Sequence, residues 1–132
     1  MNQIQVLHQK AMDLAEAAAV ARLRGTPEQA AQLTRQAFEK ETQAAALIAN
    51  SLDAEPTRSV LHRSAASLAI ECGELQVAER LITTALSGNS PLEIAEELKD
   101  LFIQINLKQY LKRQGIHIDL NQLQGLVNHP SY

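Results

Sequence analysis

Six polar side chains, Thr57, Arg58, Ser59, His62, Arg63 and Ser67, fall within about three helical turns of one another and offer the chain its strongest candidate chemistry. At helical spacing Ser59, Arg63, Ser67 and Ile70 share one strip, and Arg58 and His62 lie on the neighbouring one. Arginines so placed suit the recognition of a partner's carboxylate, because a guanidinium grips it through two parallel charge-assisted hydrogen bonds. The same residues support two other readings. Arg58, His62 and Arg63 would also suit a small anionic ligand. Alternatively, Arg58 and Arg63 pair with Asp53, Glu55 or Glu41 and fasten a loop to the helix, with His62 an ordinary polar residue at a helix–helix interface.

Linear signatures of catalysis are missing. His8, His62, His117 and His129 are scattered, and none follows a glutamate by three residues as helical di-metal sites require. There is no HExxH, no GxSxG, no glycine-rich phosphate loop and no pair of cysteines. Cys72, the lone cysteine, falls on an apolar stripe and reads as a small buried hydrophobe. The expectation is a protein that is not an enzyme and carries no cofactor or metal.

Charge and hydropathy narrow the partners. A formal net charge of −3 gives no basic footprint for nucleic acid. No apolar run approaches the roughly 20 residues of a membrane span. The alanine-rich N-terminus lacks an early basic region, and Gln3, Gln5, His8, Gln9, Lys10, Asp13 and Glu16 interrupt it, so it does not read as a targeting peptide. The expected location is cytoplasmic. Glu93, Glu96, Glu97, Lys99 and Asp100 read as a solvated face, while Lys108, Lys112 and Arg113 suit the negative end of a helix dipole.

The elements that must hold these residues are helices. The sequence has 20 alanines and 19 leucines but only four aromatic residues, a bias toward helix formers and close helix packing. Pro27, Pro56 and Pro91 sit where a first helical turn tolerates proline. Thr26 with Gln29 and Ser90 with Glu93 have capping-box spacing. Gly25, Gly73, Gly88 and Gly115 occupy stop positions that favour positive φ. Five helices follow, near 2–24, 27–51, 56–72, 74–87 and 91–113, each with an apolar stripe. Links of one to three residues between the first and second, and the third and fourth, make antiparallel hairpins.

The third and fourth helices resemble one tetratricopeptide repeat: Gly73, Ala78, Ile82, Ala85 and Leu86 stand at the repeat's turn-glycine, alanine and large apolar positions, and Pro91 comes one residue later than the pattern has it. Gly25, Ala30, Ala37 and Phe38 echo the same frame in the first hairpin. The chain departs from the family in spacing, with turn glycines 48 residues apart rather than 34, and in having Leu14, Ala21, His62 and Ala69 at aromatic positions. Residues 55–101 are also similar to a segment of uncharacterised bacterial helical proteins. The resemblance implies an all-α fold of antiparallel hairpins, a short right-handed solenoid over residues 1–113. It further implies a non-enzymatic interaction or scaffold domain, binding a protein partner or completed as a homodimer, with Arg63 and Ser67 facing the groove. From its own residues, a short alternating segment at 116–120 followed by Leu123, Leu126 and Val127, the stretch 114–132 reads as a flexible or partner-dependent tail. Packing on the helices, pairing as a strand with another chain and the start of a further domain are the alternatives.

Overall fold

The computed structural model of the chain describes residues 2–115, and these are all-helical with no strand. The helices are α1 (Gln3–Leu23), α2 (Pro27–Ile48), α3 (Thr57–Glu71), α4 (Leu75–Leu86) and α5 (Leu92–Arg113). Every boundary lies within three residues of the position expected from the proline and glycine punctuation. Of the tail expected from 114 onward, residues 116–132 lie outside the described residues.

Consecutive helices pack on one another, and α5 packs on both α3 and α4. The two short links make α1 with α2, and α3 with α4, hairpins. Alanine sets how closely they approach: Ala11, Ala18, Ala37, Ala44, Ala65, Ala69, Ala78 and Ala85 are completely buried, with no side chain beyond Cβ to hold the axes apart. Phe38, Ile48, Leu61, Leu68, Ile82, Leu98 and Ile105 fill the space between them in one continuous core. Leu47 of α2 and Leu52 just beyond it are exposed. Leu47 lies on the rim of the buried arc and Leu52 follows the helix end, where the chain turns away.

The ends of the helices use capping groups in an unexpected way. Gly25, Gly73 and Gly115 do have positive φ, which lets the chain leave α1, α3 and α5. Gly88 does not, and its cause is steric, as described below. Neither expected capping box forms. Thr26 Oγ1 instead donates to the carbonyl of Ala21, and Ser90 Oγ to that of Ala85. In both links the chain folds back so that the hydroxyl lies against one of the last carbonyls of the helix before it and closes that end. The capping box that does form is Asn2 with Gln5, at the start of α1.

Candidate functional site

Three of the six polar residues of α3 face inward. Arg58, only 1% exposed, lies in the corner where α2 ends, α3 begins and α4 ends. Its Nε donates to Ala49 O at 2.7 Å, the carbonyl that follows α2. Nη2 and Nη1 donate to Thr84 O and Ala85 O, at 2.8 and 3.2 Å, in the last turn of α4. The last carbonyls of a helix lack intrahelical partners and carry the negative end of its dipole. One guanidinium therefore caps two helix ends at once, with donors spread in a planar fork that lysine does not have. Glu55 Oε2 stands 3.8 Å from Nη1 and offsets the buried charge.

Around this arginine the other groups are spent as well. Pro56, at the N-cap of α3, has no side-chain oxygen, and Glu55 takes over: its Oε1 accepts from Ser59 N at 3.0 Å. Ser59 Oγ lies 3.0 Å from Glu55 Oε2 and 2.8 Å from Ser90 Oγ. His62 Nδ1 donates to Arg58 O at 2.7 Å, which fixes the Nδ1–H tautomer of the neutral ring. Burial pushes the His62 imidazole below its ordinary value; the hydrogen bond to Arg58 O opposes this, the Arg58 charge adds to it and Glu55 opposes it. The ring is an internal tie.

Gly88 belongs to the same corner. A Cβ placed there would come within 2.5 Å of Arg58 Nη1 and 3.1 Å of Cζ. Glycine is required because the guanidinium occupies the space a side chain would need.

The expected partner-binding set of Arg58, Ser59, His62, Arg63 and Ser67 therefore divides. Arg58, Ser59 and His62 are buried and hydrogen-bonded, so they present nothing to a partner or an anion while the helices stay packed. Arg63 and Ser67 remain at the surface. Arg63 Nη1 donates to Glu97 Oε2 of α5 at 3.0 Å, and Ser67 is exposed. The loop-fastening reading describes Arg58, with Glu55 the acid beside it. Arg63 pairs with Glu97 on α5, not with Asp53, Glu55 or Glu41.

A second polar tie joins α1 to α2. The Glu41 carboxyl is completely buried, and both its oxygens lie 2.9–3.0 Å from His8 Nδ1 on α1. Its signal was present: Glu41 fills the gap between Ala37 and Ala44 on the buried stripe of α2, where an acid must have a partner. What the sequence did not reveal is which residue of α1 lies opposite.

At the open ends of α1 and α3 a cleft of about 390 Å³ is lined by Arg22, Thr34, Arg35, Glu71 and Cys72 with Pro27, Ala30 and Ala31. Its charges answer one another: Arg22 donates to Thr34 Oγ1 and stands 4.0 Å from Glu71, and Arg35 reaches Glu74 at 3.3 Å. Burial holds the Cys72 thiol above its ordinary value, opposed by the adjacent Arg35, so the thiolate is disfavoured. No group of three potential metal ligands occurs among the described residues, and none of their helices is long and apolar enough to cross a membrane.

The outer face of α5 is different in kind. Leu98 and Ile105 are buried against α3 and α4. On the other side Leu92, Ile103 and Tyr110 are 73%, 52% and 50% exposed. Separations of 11 and 7 residues bring these three onto a single strip. Against this geometry, no family model, no curated protein and no solved structure matches the chain.

Proposed function

We propose that the chain is a non-enzymatic protein-interaction domain, a tetratricopeptide-like stack of two hairpins and a closing helix that is completed by binding at its open end. The observation that carries this reading is the apolar strip of α5. A solenoid buries each unit against the next, and a last unit that caps the stack normally turns a polar face outward. Here the last described helix turns out Leu92, Ile103 and Tyr110 among the polar side chains of Glu96, Lys99 and Asn106. The polar cluster of α3 supports the same reading by being committed to joining helices. Arg63 and Ser67 remain as the α3 residues placed to touch a partner, on a cytoplasmic protein acting as a scaffold.

The test is sedimentation velocity on the full chain from about 1 to about 100 μM, because an association that buries such a face is governed by mass action over this range. The expected result is a sedimentation coefficient that rises with concentration toward that of a dimer. A concentration-independent monomer that also fails to bind a dye reporting exposed apolar surface would refute the reading.

A further inference from the structure

We draw no further inference here: the strongest candidate, the cleft at the open ends of α1 and α3 where Arg22 and Arg35 lie beside Cys72, has its two arginines already answered by Thr34, Glu71 and Glu74, and nothing among the described residues points to a ligand there.

Discussion

Replacing Gly88 by alanine is expected to destabilise the protein only while Arg58 is present. The new Cβ would lie 2.5 Å from Arg58 Nη1, so the guanidinium has to move, yet three carbonyls hold it at 2.7–3.2 Å. Overpacking a site that cannot relax freely costs about 1–3 kcal/mol, and loosened bonds to the Thr84 and Ala85 carbonyls put this case near the upper end. Arg58→Met removes the guanidinium and keeps most of the stem. It gives up three charge-assisted bonds at about 1.5 kcal/mol or more each, about 4.5 kcal/mol or more in all, a large part of the 5–15 kcal/mol that holds a domain together. In that background Gly88→Ala meets nothing closer than Leu52 Cδ2 at 3.4 Å. Gly88 also lacks a positive φ, so alanine adopts its backbone freely. The substitution should then be neutral or stabilise by up to about 1 kcal/mol, by restricting the unfolded chain. Urea denaturation followed by circular dichroism at 222 nm gives all four corners of the cycle. The sign of the Gly88→Ala effect should reverse, with a coupling of about 2–3 kcal/mol. Equal costs in both backgrounds, within about 0.5 kcal/mol, would refute the claim that Gly88 is glycine on account of Arg58.

Two further perturbations address the other buried polar groups. His8→Ala leaves the Glu41 carboxyl buried without its partner and should cost about 3–5 kcal/mol in the same denaturation assay, whereas His8→Leu with Glu41→Leu recovers most of it; a His8→Ala loss below about 1 kcal/mol would refute the pairing. For His62 the folded imidazole titrates below its unfolded value of 6.5, so below that pH the unfolded chain binds more protons than the folded one. Its contribution to stability is whole above 6.5 and falls as the pH drops beneath it, by at most about 1.4 kcal/mol per pH unit. His62→Asn should flatten that part of the pH–stability curve, and an unchanged slope between pH 6.5 and pH 5 would count against a buried neutral ring.

Helix positions were legible because they are set locally. A residue such as Gly25 or Gly73 both ends its helix and permits the positive φ that follows, and these two constraints act within a few residues. Gly88 shows where such reasoning misleads: it marks a helix end correctly, but its cause lies thirty residues earlier in the sequence, in Arg58. Thr26 and Ser90 mislead in a similar way. Their capping-box spacing is real, yet hydroxyl donors serve whichever carbonyl is near, and in both links the chain folds back on the helix before it. The candidate site suffered most. Sequence placed Arg58 and His62 on a strip of α3 but not the return of α4 over that strip, which turns an apparent binding surface into an interior joint. Composition along one helix tells which faces are polar. Only packing tells which polar faces meet another helix.

The distribution of these polar joints bears on how the chain would associate. Glu41 and His8 tie α1 to α2, Arg58 ties the ends of α2 and α4 to α3, and Arg63 with Glu97 ties α3 to α5. Successive pieces are therefore joined internally, and attachment to a further unit falls to the two terminal helices. They are unlike. Along α1 the outward positions include Gln3, Gln5, Gln9, Lys10, Asp13 and Ala17, and the large apolar exceptions, Val20 and Leu23, are confined to its last turn. Along α5 Leu92, Ile103 and Tyr110 are exposed at intervals, with Glu96, Lys99 and Asn106 between them. A head-to-tail array would need the α5 face of one copy to fit the α1 face of the next, and would leave glutamine, lysine and aspartate to cover leucine, isoleucine and tyrosine. Association confined to the α5 side leaves the α1 face in water. On the proposed reading, the polarity of α1 is what keeps a two-hairpin stack from growing into a filament. Replacing Gln5, Gln9 and Asp13 by leucine should then turn a discrete dimer into larger species in sedimentation, and a distribution that stays at the dimer would refute that role for α1.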